Sequence, residues 1–355
     1  MNPLKVAIIG HGRSGRNIHA QSLEKMKEYF YIAAVADQSE ERRLMAERDF
    51  GCETVADYRE LFGRKDLDLI VNASPSHQHV PISLEFLEQG FHVLCEKPLA
   101  RKVEDVDRLM AAAKASGKTL AVFQQSRFNP AFVQVRNVIA SGVLGRIVQA
   151  RVAYNGFARR WDWQTLKSMN GGNLLNTGPH PVDQALQLFG TDVTPEVWCR
   201  MDQANSFGDA EDYVKLILHG PGKPLVDVEI SSCDAYAKDH YVIQGTHGGL
   251  RGDFHHLEWT YFRPEESPQQ QLEEQPLSTK EGNPAYCSEE LTWYKESWDI
   301  PENVKDNLFF EMTRTYYEML YRTISEGQPL EVTMDEIRTQ VAVMEQCFAQ
   351  NPKFQ

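Results

Sequence analysis

The sequence predicts an α/β half followed by an α+β half: a doubly wound parallel sheet over residues 1–123, then an open, mainly antiparallel sheet with helices over 124–355. Three observations carry this. Runs suited to strands alternate with runs suited to helices from residue 1 to about 123. The first of these runs passes into a glycine-spaced turn. Beyond residue 123 the pattern changes to alternating or β-branched runs punctuated by Gly and Pro. A chain of 355 residues is long for one core, so two domains are the natural division.

The first element is Leu4–Ile9, a short continuous apolar run of the kind a buried parallel strand needs. It leads into Gly10-His11-Gly12-Arg13-Ser14-Gly15 and a helix expected over 14–28. In such a loop Gly10 allows the tight turn, Gly12 lets the backbone approach a pyrophosphate and Gly15 lets the helix pack close to the strand. The next strand, 31–36, ends in Asp37, where an acid accepts hydrogen bonds from an adenosine ribose and repels a 2'-phosphate. That favours NAD(H) over NADP(H), a preference that Arg13, Arg42 and Arg43 soften.

Strands follow at 67–73, 91–95 and 119–123, with helices near 39–49, 57–62, 78–89 and 103–116. Ligands of such sheets lie beyond the carboxyl ends of the strands, and polar residues fall there. After 67–73 comes Ser74-Pro75-Ser76-His77-Gln78-His79, in which His77 reads as solvated and His79 as facing the nicotinamide half of a dinucleotide. After 91–95 comes Glu96-Lys97-Pro98, a lysine held at a strand end by a proline whose preceding bond is expected to be cis. Cys95 reads as a core thiol.

Residues 124–130 read as an exit from the sheet, followed by a helix to about 141. Strands are expected at 146–154, 196–201, 212–218, 225–231 and 241–244. The Glu-, Gln- and Pro-rich stretch 263–280 reads as a solvated excursion. Helices close the chain at 304–325 and 334–350, the last expected to pack back on the first domain. Within this half, Gly171-Gly172 precedes Gly178-Pro179-His180-Pro181-Val182-Asp183 and an apolar helix. Prolines in the first turn remove only N–H groups that have no helical partner, so Gly178 serves as N-cap and His180 lies in that first turn. The helix dipole there opposes protonation, which makes His180 a neutral candidate base, with Asp183 three residues on as its orienting partner.

The net charge of −13 argues against nucleic acid or an anionic membrane surface as partner. No apolar run approaches the ~20 residues that cross a bilayer, and the first strand starts at residue 4, so a cytoplasmic protein is expected. The six cysteines are scattered, without the paired spacing of a metal site or disulfide framework; no metal is expected.

The glycine loop 10–15, the turn Ser74-Pro75-Ser76 with His79, Glu96-Lys97-Pro98, and Gly171-Gly172 followed by His180 and Asp183 together resemble the Gfo/Idh/MocA oxidoreductases over essentially the whole chain. The resemblance implies an N-terminal Rossmann domain holding NAD, with NADP an option, and a C-terminal sheet that covers the nicotinamide and carries the substrate. It places the family's lysine at Lys97 and its histidine at His180. Many members have an aspartate four residues before that histidine; here Asn176 stands there, which can hold a hydroxyl but cannot take a proton.

The activity so implied is hydride transfer between nicotinamide and a carbinol or carbonyl carbon of a sugar, cyclitol or sugar derivative, with Lys97, His180, Asn176 and Asp183 as catalytic residues. Residues 10–15, Asp37, Ser74, Pro75, Ser76, His79, Glu96, Lys97 and Gln125 would bind the cofactor. Arg127, Tyr154, Arg160, Trp161 and Trp163, with Asn176 and His180, would bind the substrate. Two other readings are NAD-dependent glycoside cleavage through transient oxidation and elimination, and a non-catalytic NAD-binding sensor. The exposed face of the open sheet suits a homo-oligomer, dimer or tetramer.

Overall fold

A computed structural model describes residues 3–355. In β1 (Leu4–Ile9) the side chains of Val6, Ala7, Ile8 and Ile9 are all buried, so the strand needs cover on both faces, which a parallel sheet with crossover helices supplies. Helix α1 opens with π-helical turns over Arg13–Ala20 and ends as α-helix over Gln21–Glu24. It stops short of residue 28 because buried Met26 turns inward and its carbonyl takes the N–H groups of Tyr29 and Phe30. Then come β2 (Phe30–Ala36), α2 (Glu40–Phe50), β3 (Glu53–Val55), β4 (Leu69–Asn72), α3 (His79–Glu88), β5 (His92–Cys95), α4 (Val103–Ser116) and β6 (Leu120–Val122). Ser39 caps α2, and Gly51 and Gly117 end α2 and α4 at φ of 63° and 64°, where glycine is favoured.

The six strands pair in parallel in the order β3-β2-β1-β4-β5-β6. The direction of winding reverses beside β1, so a crevice opens at the carboxyl ends of β1 and β4. Strand β3 escaped the sequence reading because three half-exposed residues carry no period.

The second half holds α5 (Pro130–Ala140), β7 (Ile147–Asn155), α6 (Asn173–Asn176), α7 (Pro179–Phe189), β8 (Glu196–Asp202), β9 (Tyr213–His219), β10 (Leu225–Ser231), β11 (Tyr241–Gly245), β12 (Gly248–Gly252), β13 (His256–Tyr261), β14 (Tyr294–Asp299), α8 (Glu302–Lys305), α9 (Leu308–Glu326) and α10 (Met334–Gln350). Its eight-stranded sheet runs β14-β13-β12-β11-β7-β10-β9-β8, antiparallel except for the β7–β10 pair. One face is apolar: Val214, Leu216 and Leu218 of β9 and Val226, Val228 and Ile230 of β10 are buried, and both strands pack against α7. The other face is open and carries ion pairs such as Lys215–Asp227 at 2.7 Å and Arg151–Glu229 at 3.2 Å. Strands β12 to β14 lay outside the sequence reading, since Gly248 and Gly249 hide one and the mostly exposed Tyr294–Asp299 is polar along most of its length. The stretch 263–280 runs almost wholly exposed.

Helices α9 and α10 return to the first sheet. Tyr316 of α9 is buried and its hydroxyl donates to the carbonyl of Val122 at 2.6 Å. Helix α10, capped by a Thr333–Glu336 capping box, touches both halves. Arg338 donates to Asp107 of α4 at 2.6 Å, Glu345 accepts from Val103 N at 2.9 Å, and Gln350 accepts from Cys199 N of β8 at 2.8 Å. Among the described residues no helix is long and apolar enough to cross a membrane.

Candidate active site

The glycine loop divides its labour by space. Gly10 has φ +88°, and a Cβ there would sit 2.7 Å from the carbonyl oxygen of Ala73. A Cβ on Gly15 would overlap the carbonyl oxygen of Gly10. Over Gly12 the space is open, its nearest neighbour an Arg42 nitrogen at 3.7 Å, so this backbone is free to be approached by a ligand. Asp37, at the end of β2, accepts from His11 N at 2.7 Å and Ser39 N at 2.9 Å, with Arg42 3.5 Å away. Each carboxylate oxygen keeps a further lone pair. The His11 ring is buried, both its nitrogens lack a partner, and burial lowers its pKa. Gln125, in the turn after β6, has a buried Oε1 without a partner as well. Arg13 is exposed and Ser14 half-buried at the rim. An open backbone beside a helix N-terminus, an acid at the β2 end and orphaned polar atoms fit the adenosine and phosphate parts of a dinucleotide.

The turn after β4 is built from behind. Buried Asn72 accepts from the Ser74 hydroxyl at 2.7 Å and donates to Ser83 Oγ at 2.9 Å and to the carbonyl of His79 at 3.1 Å. Pro75 is exposed and Ser76 half-buried, available to the crevice, and His77 is solvated. His79 corrects the sequence reading. Its ring is buried with Nδ1 2.7 Å from the carbonyl of Pro98 and Nε2 2.9 Å from that of Ser74, so it ties the two turns together and turns no nitrogen to a ligand. Glu96 is likewise internal: one oxygen meets His19 Nε2 at 3.1 Å and the other accepts from Lys97 N at 3.0 Å. Burial pushes that carboxyl up, but His19 and the Lys97 charge outweigh it and hold it at about 2. The Lys97–Pro98 bond is cis.

Lys97 reaches across to the second half, where its Nζ donates to the backbone carbonyl of Asn176 at 2.7 Å. Burial lowers its pKa, Glu96 opposes this, and Arg13 and Arg160 add to it. One helical turn beyond Asn176, His180 is set between Pro179 and Pro181 at the start of α7. The carbonyl of Pro179 is held by Gln124 from the exit of the first sheet and Gln340 from α10, each at 2.5 Å. His180 Nδ1 lies 2.9 Å from Ser126 Oγ. Its Nε2 has no partner among the described residues. Burial first, then the Lys97 charge, lowers its pKa to about 3, so the ring is neutral.

Several expected contacts lie elsewhere. Asp183 does not face His180; both its oxygens bind Arg127, one of them from Nε at 3.0 Å, and Arg127 also binds Glu336 at 2.8 Å. Asp183 and Arg127 are therefore a buried joint between the turn 125–128, α7 and α10, not a steering acid and a sugar contact. Tyr154 turns its hydroxyl to Gln184 at 3.4 Å and packs edge-on to His240 and Phe254 beneath the sheet. Asn176 spends its side-chain oxygen on Gln164 Nε2 at 2.9 Å, and Gln164 in turn binds Arg160, which donates to Asp162 at 2.6 Å. Beside this chain Trp161 is 82% exposed and Trp163 40% exposed.

Three residues were missed by the sequence reading: Ser126, Gln164 and Glu211. Buried Glu211 accepts from Leu174 N at 2.8 Å and occupies the space that a Cβ on Gly172 would take; burial pushes its carboxyl up to about 7. The glycine pair was the one available signal, since Gly172 at φ +103° implies a close neighbour.

Comparison with known proteins gives two family matches. Residues 4–124 match the oxidoreductase family with an NAD-binding Rossmann fold, and residues 132–251 match the GFO/IDH/MocA C-terminal domain. The levoglucosan dehydrogenase of Pseudarthrobacter phenanthrenivorans is 30% identical over 291 residues, 70% of this chain and 73% of that protein. The NADP(+)-dependent scyllo-inositol 2-dehydrogenase of Bacillus subtilis is 28% identical over 263 residues, 71% of this chain and 72% of that protein. Among solved structures, GenD2 from gentamicin A biosynthesis in complex with NAD superimposes with a TM-score of 0.78 at 21% identity, covering 99% of this chain and 95% of that one.

Proposed function

The chain belongs to the GFO/IDH/MocA oxidoreductase family, and from that premise we propose that it is an NAD-dependent dehydrogenase or reductase of a sugar, cyclitol or sugar derivative, acting at a carbinol or carbonyl carbon. The observation that carries this reading is the convergence of Lys97 from the first half with Asn176 and His180 of the second, at the carboxyl end of β5. When bound, the cofactor supplies or takes up the hydride.

The chain's own residues handle the oxygen and the fit. Gly12, the start of α1 and Asp37 would hold the phosphates and ribose, and the Asp37 carboxylate favours a free 2'-hydroxyl over a 2'-phosphate. Lys97 polarises the substrate oxygen and His180 hydrogen-bonds it, either able to move its proton. Arg160, Gln164 and Asn176 orient the hydroxyls, and the exposed faces of Trp161 and Trp163 suit the C–H surface of a sugar.

The test is a panel of sugars and cyclitols followed by the absorbance of reduced nicotinamide, with NAD and with NADP. Turnover is expected with a polyhydroxylated substrate and faster with NAD. Product formed without net NADH would replace the dehydrogenase reading with redox-neutral cleavage, and no turnover with any member would leave only the family's fold.

A further inference from the structure

We propose that Ser126 is a positioning residue that fixes His180 in the tautomer carrying its proton on Nε2, so that His180 serves the substrate oxygen as a neutral hydrogen-bond donor and Lys97 alone carries the proton. This rests on the reading of Lys97 and His180 as the pair that meets the substrate oxygen, and it divides the work between them.

Ser126 is clamped to α7 at two points one turn apart. Its hydroxyl meets His180 Nδ1 at 2.9 Å, and its carbonyl accepts from Gln184 Nε2 at 2.9 Å. Gln184 is itself held by the Tyr241 hydroxyl at 3.0 Å, so the serine has little freedom to turn away. Ser126 is only 6% exposed, and its hydroxyl has no second partner among the described residues.

A buried hydroxyl proton without an acceptor is costly, and His180 Nδ1 is the acceptor at hand. The arrangement that satisfies the serine is therefore O–H donating to Nδ1, which leaves the ring proton on Nε2, the nitrogen without a protein partner. A carboxylate in the same place would demand the opposite tautomer and stabilise an imidazolium. Among the described residues none touches this ring: the oxygens of Asp183 are on Arg127, and Asn176 gives its side chain to Gln164.

The proton balance then assigns the roles. A neutral imidazole that gave up its Nε2 proton would become an imidazolate, and Ser126 has no proton source behind it with which to compensate. In the reductive direction the carbon gains the cofactor's hydride. The oxygen takes a proton from the Lys97 ammonium, leaving the amine, which is reprotonated from solvent. His180 keeps its proton and stabilises the developing negative charge on that oxygen. In oxidation the Lys97 amine takes the hydroxyl proton.

The tautomer is read directly by nitrogen NMR of [15N]histidine-labelled protein loaded with NADH, with H180Q identifying the His180 signals. Nδ1 is expected as an unprotonated acceptor and Nε2 as protonated; the reverse pattern overturns the proposal. This measurement needs no substrate, so it stands or falls apart from the sugar screen. With an active substrate, S126A should lower kcat about ten-fold, the worth of one neutral hydrogen bond, with little change in KM, and S126T should restore it. H180Q, whose amide donates but cannot carry a proton, should stay within about ten-fold of the parent, whereas a loss as large as that of H180A would show His180 to be a proton carrier and defeat the assignment.

Discussion

Two histidines open helices in this molecule, His79 at the start of α3 and His180 at the start of α7, and the difference between them separates support from chemistry. Both have depressed pKa values caused first by burial. His79 has each ring nitrogen beside a carbonyl, so its one N–H goes to the turn at Ser74 or at Pro98 and neither nitrogen faces a ligand. His180 has one nitrogen on Ser126 and one without a partner among the described residues. The sequence offers both as residues that face a ligand, His79 toward the cofactor and His180 as a base. What distinguishes them is how many of their nitrogens the fold consumes.

The largest effect that tests this contrast is H180A. It is expected to cut kcat about 10³-fold, roughly 4 kcal/mol of transition-state stabilisation, while NADH binding measured by fluorescence stays unchanged. Unchanged turnover would abolish the distinction. D183A comes next: removing a carboxylate from a buried guanidinium should lower stability in urea unfolding by about 3 kcal/mol, yet leave turnover per folded molecule within a few-fold. If D183A instead matched H180A kinetically, the acid would be acting through the imidazole after all. H79Q should cost about 2 kcal/mol of stability, because the flexible amide gives up the ring's packing and the N–H that the ring fixes on a buried carbonyl, again with little change in kcat.

The smallest effect is on the pH dependence of stability. Each ring titrates at an ordinary value of 6.5 when unfolded and lower when folded, His180 at about 3. The unfolded chain therefore binds more protons below 6.5, and the stability held by the neutral rings is complete above that pH and is lost as pH falls, for His180 down to about 3. Each ring contributes a slope of at most ~1.4 kcal/mol per pH unit in that window. Urea midpoints of the H79Q/H180Q double variant should fall less steeply on acidification than those of the parent; an equal slope would mean that neither ring is the source.

Much of the first half was legible because its chemistry is local. A glycine loop, an acid at the next strand end and Glu96-Lys97-Pro98 are short words that can be read without knowing their distant partners, and the strands are apolar enough to announce themselves. The second half was legible as alternation, but its polar wiring was not. Ser126 and His180 are 54 positions apart, and Arg127 and Asp183 are 56 apart, so no periodicity connects them. The i to i+3 spacing of His180 and Asp183 suggested a pair. Burial of Arg127 then redirected the acid, since an unpaired buried guanidinium is far more costly than an unassisted neutral imidazole.

The double grip of Gln124 and Gln340 on the carbonyl of Pro179 gives the last helix a reach beyond its own surroundings. An amide from the seventeen-residue α10 bears on the same atom that seats the imidazole's backbone, while the ends of that helix are riveted to α4 and to β8. The two lobes thus share a common strut, and jaw-like separation would tear it. A shortened C-terminus would loosen the imidazole without removing anything that touches it.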